Sequence, residues 1–248
     1  RERERARERE RGGGGERGRE VWMWVPLFVL LGAVHLATLE WDVPILVMGT
    51  TKLLPMLLMI VASVALAKTH SPRWKTLRTL ALLFSMVGDT LLIFSAEWCF
   101  LGGLAAFLVG HIFYNILFVR SSLMPVLGVF CFATSGSIVY LLLDFFPPDL
   151  RIPVLVYVVM LSATAWRSAA AAFSGTTLSL KTYLAGLGGL IFLVSDAVLA
   201  VDRFIPPHIL IVPHARVVVM TTYYLAQLAL FHVPEVHSPH RTPSSKEK

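Results

Sequence analysis

Four ionisable side chains fall inside long apolar runs of this chain: Lys52, Asp89, His111 and Asp196. On insertion scales a charge at the centre of a membrane helix costs about 2.5–3.5 kcal/mol, so each of the four needs a partner, a wet cavity or a function. Two carboxylates beside one ammonium are the ingredients of acid–base chemistry, because burial and a neighbouring cation leave one acid protonated and the other ionised. Such a pair suits bonds that break through an oxocarbenium ion. Glycosidases use it, and hydrolysis of a vinyl ether makes the same demand: protonation of the alkene carbon creates an oxocarbenium that water attacks. The sequence has no G-x-S-x-G nucleophile elbow and no HExxH helix, so ester hydrolysis by serine or zinc is unsupported.

The elements that must position these groups are membrane helices. Of 248 residues, 56% are hydrophobic and 15% charged, with a mean hydropathy of +0.68. Soluble domains average about 25% charged residues, so lipid rather than water is the solvent here. A bilayer core of about 30 Å needs roughly 20 apolar residues per helix. Eight stretches meet or approach that length, near 22–38, 43–66, 75–94, 99–119, 122–143, 152–172, 182–201 and 215–233. The fold class is therefore all-α, a polytopic membrane bundle of about eight transmembrane helices, with breakers at Ser71-Pro72, Pro147-Pro148 and Pro206-Pro207. The apolar runs are too long, and alternate too little, for barrel strands.

Residues 1–20 carry eight Arg and six Glu and run into Gly12–Gly15, which reads as a disordered tail rather than a targeting segment. Residues 21–233 form the transmembrane catalytic domain and 234–248 a second disordered tail. The formal charge of +6 comes as much from residues flanking the spans as from the tail, and without an aromatic-studded basic domain it does not indicate nucleic-acid binding. Cys99 and Cys131 read as unpaired apolar thiols.

With the amino terminus on the cytoplasmic side, that face collects eighteen Lys and Arg, the opposite face has only Arg151, Arg203 and Arg216, and Lys52 lies within a span. Both termini are expected in the cytosol. Asp89 and Asp196 then lie five residues before the ends of the third and seventh spans, about 7–8 Å along parallel axes and so at one depth. Lys52 and Tyr223 enter from the same side, some 12–14 Å down. His111, Tyr114, Asn115 and Phe118 share one face of the fourth span, and Tyr223 with Gln227 and Thr221 with Tyr224 share faces of the eighth. Ala106 with Gly110, and Ala185 with Gly189, predict close helix contacts.

Each feature also has a plain structural reading. Lys52 with an Asp is equally an ion pair that holds helices together, and His111, Tyr223, Tyr224 and Gln227 are equally interhelical hydrogen bonders. His35 reads as structural, and Trp22, Trp24, Trp41, Trp74 and Trp98 as interfacial anchors. His208, His214, His232, His237 and His240 lack metal-ligand spacing with nearby acids, and no metal or other cofactor is expected.

At this point a resemblance emerges. Gly88-Asp89, the run Gly103-Leu-Ala-Ala-Phe-Leu-Val-Gly-His111-Ile-Phe-Tyr114, Leu193-Val-Ser195-Asp196 and Met220-Thr-Thr-Tyr-Tyr-Leu-Ala-Gln227 closely resemble the YhhN-type lysoplasmalogenase family, with Lys52-Leu-Leu-Pro55 also similar. The resemblance covers about residues 22 to 233 and leaves the Arg/Glu tail without a counterpart. It implies an eight-helix integral membrane hydrolase of the endoplasmic reticulum that cleaves the vinyl ether of lysoplasmalogen to a fatty aldehyde and a glycerophospho-base. The paired aspartates of the family map onto Asp89 and Asp196.

On that basis Asp89 and Asp196 are the expected acid and base, in an order left open. Lys52 is expected to act on the nearer Asp or on the phosphate, and His111, Tyr114, Asn115, Ser195, Tyr223, Tyr224 and Gln227 to bind or orient substrate and water. The expected partners are a lysophospholipid and membrane lipid, with a homodimer left open. The rival classes are an ion-coupled transporter, against which stands the lack of an inverted repeat or paired broken helices, and a lipid-binding membrane protein without chemistry.

Overall fold

The structure is a computed structural model that describes residues 23–65, 71–119, 123–173, 180–233 and 235. Both predicted tails otherwise lie outside these residues, as does Trp22. The described residues form nine α-helices and one 3-10 turn, with no strand among them: α1 Val25–Thr38, α2 Ile45–Ala65, α3 Pro72–Leu91, α4 Glu97–Phe118, α5 Pro125–Leu142, the turn Leu143–Phe145, α6 Pro148–Phe173, α7 Leu180–Gly186, α8 Gly188–Phe204 and α9 Ala215–Phe231. Four helical segments are long and apolar enough to cross a membrane, at Ile45–Ala65, Glu97–Phe118, Pro125–Phe145 and Pro148–Phe173, and α1 and α9 are shorter apolar helices. The predicted seventh span is not one continuous helix. It breaks at Leu187, within Gly186-Leu-Gly-Gly189, into α7 and α8.

Starts and bends follow local chemistry. Ser71 caps α3 by accepting a hydrogen bond from Trp74 N, with Pro72 in the first turn, where its missing N–H costs nothing. Glu235 holds that corner, its carboxylate accepting from Ser71 N at 3.0 Å and Ser71 Oγ at 2.5 Å. Pro55 inside α2 cannot donate to the Thr51 carbonyl. In this loosened ladder the next carbonyl, that of Lys52, accepts from the Tyr224 hydroxyl at 2.9 Å.

Close helix crossings depend on missing side chains. A Cβ on Gly88 would sit 2.6 Å from the Phe107 ring, one on Gly110 3.1 Å from Ala81 O and one on Gly189 2.4 Å from Ala165 Cα, so α3 and α4, and α8 and α6, pack closely only because these side chains are missing. The outer faces are apolar: Leu46, Val126, Val129, Leu141 and Ile152 are all exposed. Inside lie buried Asp89, His111, Arg78, Ser135, Thr164 and Gln227. A greasy exterior around a polar interior is the arrangement lipid demands.

Trp41 and Trp98 are exposed near helix ends, as interfacial anchors would be, whereas Trp74 is buried against Phe118 and does not fit that reading. Arg78, counted from the sequence as a flanking charge, is 2% exposed; it donates to Ser63 Oγ at 3.1 Å and to Phe231 O at 3.3 Å and lies over the Phe231 ring. Cys99 and Cys131 are both buried and unpaired.

Candidate active site

A cavity of about 590 Å³ opens at the end of the bundle where α3 and α8 finish and α2, α4 and α9 begin. Asp89, Asp196, Lys52, Tyr157, Tyr223 and Ser195 line it, so the two carboxylates that the sequence places at one depth share one chamber. The remaining wall is mostly apolar, running between α4, α5 and α6 past Leu104, Ile138, Val139, Leu142 and Val154.

Asp89 sits in the last turn of α3, where backbone carbonyls lack helical partners. Lys52 Nζ caps one of them, donating to Asp89 O at 3.0 Å, and lies 3.7 Å from the Asp89 carboxylate. A cation at a helix C-terminus also complements the helix dipole. On its other side the carboxylate accepts from the Tyr223 hydroxyl at 2.5 Å. Gln227 Nε2 donates to that hydroxyl at 3.3 Å, and Gln227 Oε1 accepts from Tyr114 at 2.7 Å. The result is a buried chain Tyr114–Gln227–Tyr223–Asp89 joining α4, α9 and α3.

Asp196, on α8, hydrogen-bonds the hydroxyl of Tyr157 from α6. Behind Tyr157 stands His111, with Nε2 at 3.5 Å from the hydroxyl and Nδ1 at 3.1 Å from Thr164 Oγ1. Asn115 donates to Thr164 Oγ1 at 2.9 Å and to the carbonyls of His111 and Met160. No ion pair reaches Asp196 among the described residues.

This second chain can be satisfied in two orders, because Thr164, His111 and Tyr157 each both donate and accept. With Thr164 donating to Met160 O at 3.0 Å, His111 donates from Nδ1 and accepts at Nε2, and Tyr157 accepts from a protonated Asp196. With Thr164 donating to His111 Nδ1, every bond reverses and Tyr157 donates to an ionised Asp196. The arm is compatible with either state of that carboxyl.

The polar face of α4 is thus divided. Tyr114 serves the Asp89 chain, and His111 and Asn115 serve the Asp196 chain. Between the arms Phe107, Phe192 and Tyr223 pack edge to face, and His111 lies edge-on to Phe192 at 4.8 Å. Tyr224 does not line the cavity; it braces Lys52 through that residue's carbonyl. Ser195 lines the cavity and donates to Val219 O at 3.0 Å, tying α8 to α9.

Two residues escaped the sequence reading. Tyr157 is the direct partner of Asp196, and its signal is available: Tyr157, Thr164 and Ser168 form a polar stripe at helical spacing on a largely apolar span. His35, read as structural, lines the cavity while Nδ1 meets Thr51 Oγ1 at 3.1 Å; its buried Nε2 has no hydrogen-bond partner. Among the described residues no group of three His, Cys, Asp or Glu side chains has the geometry to hold a metal.

These features define a class: an integral membrane helical protein with a carboxylate pair in a largely apolar, ligand-sized chamber. The chain belongs to the YhhN family, whose family model matches residues 48–233. It is 40% identical over 150 residues to the lysoplasmalogenase TMEM86B of Homo sapiens, an alignment covering 60% of this chain and 59% of that protein. It is 34% identical over 209 residues to lysoplasmalogenase TMEM86B of Sus scrofa, covering 83% of each chain. A lysoplasmalogenase of Mycobacterium tuberculosis is 32% identical over 134 residues, covering 50% of this chain and 49% of that one. No solved structure matches.

Proposed function

We propose that this chain is a lysoplasmalogenase, hydrolysing the vinyl ether of a 1-alkenyl lysophospholipid to a fatty aldehyde and a glycerophospho-base. The observation that carries the mechanism is that two carboxylates line one chamber with different partners: Asp89 has an ammonium and a hydroxyl, Asp196 a hydroxyl alone.

In this reading Asp196 is the acid and Asp89 the base. The alkenyl chain lies along the apolar wall between α4, α5 and α6. Asp196 gives its proton to the alkene carbon, and the C=C electron pair forms that C–H bond, leaving an oxocarbenium ion. Water adds to the oxocarbenium carbon while Asp89 takes its proton. The hemiacetal then collapses: its hydroxyl proton returns to Asp196, the C–O bond to glycerol breaks, and Asp89 protonates the departing oxygen. Both carboxyls finish as they began, so one water is consumed per aldehyde with no net proton uptake. Tyr157 and His111 position Asp196, and Tyr223 and Gln227 position Asp89. Eight membrane crossings, an endoplasmic reticulum location and cytosolic termini complete the proposal, supported by the hydropathy pattern, the distribution of Lys and Arg and the family resemblance.

The test is aldehyde release from 1-alkenyl lysophosphatidylethanolamine by detergent-purified protein, beside Asp89→Asn, Asp196→Asn and a saturated ether substrate. Release from the vinyl ether only, lost in both variants, is expected. Monodisperse protein that binds the lipid and releases no aldehyde would point instead to a carrier or lipid-binding protein, which labelled lipid in sealed liposomes tells apart.

A further inference from the structure

We propose that the mouth of the cavity is a recognition site for a zwitterionic glycerophospho head group, with Arg203 and Arg216 holding the phosphate and Asp202 the cationic amine. All three line the cavity that holds Asp89 and Asp196, and all three are exposed at its opening. The inference rests on the hydrolase reading and specifies the polar end of its substrate.

The placement of the arginines is selective. Among the described residues, only Arg151, Arg203 and Arg216 fall at this end of the bundle apart from the partly buried Lys52. Arg151 is accounted for by a bond from Nε to Phe146 O at 3.3 Å. The other two converge on one opening, and among the described residues neither has a carboxylate within ion-pair distance. Arg203 is pre-set, its guanidinium 4.1 Å from the centroid of the Phe100 ring, itself part of the cavity wall. Arg216 occupies the first turn of α9, which has no acidic residue and no side-chain cap. A cation there opposes the helix dipole, and an anion at the same place reconciles the two. Two planar guanidinium forks suit the oxygens of a phosphate better than any other lipid group.

Lys52, given the phosphate as one of its expected roles, is instead engaged by the backbone and side chain of Asp89. The amine is placed by the adjoining space. A second cavity of about 300 Å³ shares Asp202 and Arg216 with the first and adds Glu40, which hydrogen-bonds His214 at 3.0 Å. Asp202, with no ion pair among the described residues, lines both cavities with Arg216, which places a carboxylate for the amine at the same mouth as the guanidinium groups for the phosphate. Primary and quaternary amines share that chemistry.

Aldehyde release is measured for wild type, Arg203→Gln, Arg216→Gln and Asp202→Asn on three substrates with one alkenyl chain: the glycerophosphoethanolamine, the glycerol 3-phosphate and the bare glycerol. Each arginine variant is expected to raise KM for the two phosphate-bearing substrates about tenfold relative to the bare glycerol. Asp202→Asn is expected to raise it a few-fold for the zwitterion relative to the simple phosphate. Equal loss on all three substrates, or unchanged KM ratios, would overturn the site. Thermal stabilisation by a saturated 1-alkyl lysophosphatidylethanolamine against 1-alkylglycerol is measured in parallel. If no substrate yields aldehyde, the hydrolase reading fails, and the head-group site stands or falls on whether the arginine variants abolish the phosphate-dependent part of that stabilisation.

Discussion

Asp89 and Asp196 share a chamber but not a neighbourhood. Asp89 is held from three directions, by Lys52 at 3.7 Å, by Tyr223 at 2.5 Å, and by a helix end that Lys52 itself caps. Asp196 has one hydroxyl and, behind it, a histidine whose hydrogen bonds can run either way. A buried charge persists only where it is paired, while a neutral acid needs only a hydrogen-bond partner. In the proposed mechanism the Asp89 arm therefore supports a charge and the Asp196 arm a transferable proton, and what separates base from acid is the company each carboxyl keeps.

The most severe way to probe the contrast is to neutralise each carboxyl. Asp89→Asn and Asp196→Asn should each slow aldehyde release by about 10²- to 10⁴-fold, the usual range for a positioned acid or base. Their stabilities should differ. Asn at 89 strands the Lys52 ammonium in a largely buried site, whereas Asn at 196, in the proposed mechanism, replaces a neutral acid by an amide of the same shape. Melting in detergent is expected to fall for the first variant and hold for the second; equal melting would erase the distinction between the arms.

Lys52→Met attacks the same pair from the other side. Removing one partner of a buried ion pair costs about 3–5 kcal/mol because a charge is left behind. The double variant Lys52→Met/Asp89→Asn should therefore melt higher than Lys52→Met alone, the mark of a coupled pair in a double-mutant cycle. Additive losses would mean that Lys52 acts mainly through the Asp89 carbonyl.

The two tyrosines come next. If the roles are as proposed, Tyr223→Phe removes a hydroxyl from a charged acceptor, worth about 1.5–3 kcal/mol, and Tyr157→Phe removes one from a neutral acid, worth about 0.5–1.5 kcal/mol. Tyr223→Phe should accordingly cost about tenfold or more in kcat and Tyr157→Phe only a few-fold. The reverse order would exchange the roles of Asp89 and Asp196.

The sequence carried much of this site. Polar residues in apolar runs are conspicuous, and helical periodicity alone put Asp89 and Asp196 at one depth and Tyr223 with Gln227 on one face. Periodicity states depth and face within a helix but not which neighbour the face meets. That is why the α4 stripe read as one surface, although His111 and Asn115 turn to α6 while Tyr114 turns to α9. Tyr157 carries a weaker signal, since aromatic rings belong in apolar spans and only its spacing to Thr164 and Ser168 marks it as polar. The break at Leu187 is hidden from a hydropathy window, which sums over Gly186, Gly188 and Gly189, whereas their missing side chains let α7 approach α6 at Gly186, and α8 approach α9 at Gly188 and α6 at Gly189.

The smallest effects lie at the far ends of the two arms. Tyr114 is fully buried, and its hydroxyl reaches Asp89 only through Gln227 and Tyr223. Tyr114→Phe leaves the Gln227 oxygen without that donor, which should cost about 1–3 kcal/mol of stability. Its effect on kcat, passed through two intervening bonds, should be no more than a few-fold, with KM unchanged. Thr164→Val is the matching cut in the other arm: it removes the hydroxyl that meets His111 Nδ1. If the Asp89 arm supports a fixed charge and the Asp196 arm a moving proton, Tyr114→Phe should register mainly in melting. Thr164→Val should register mainly in the pH profile of kcat, because His111 Nδ1 then loses its hydroxyl partner, and nothing at that end sets which ring nitrogen carries the proton. Stability losses of the same size with unchanged pH profiles would make both arms structural braces, and the asymmetry around the carboxyls would end at Lys52.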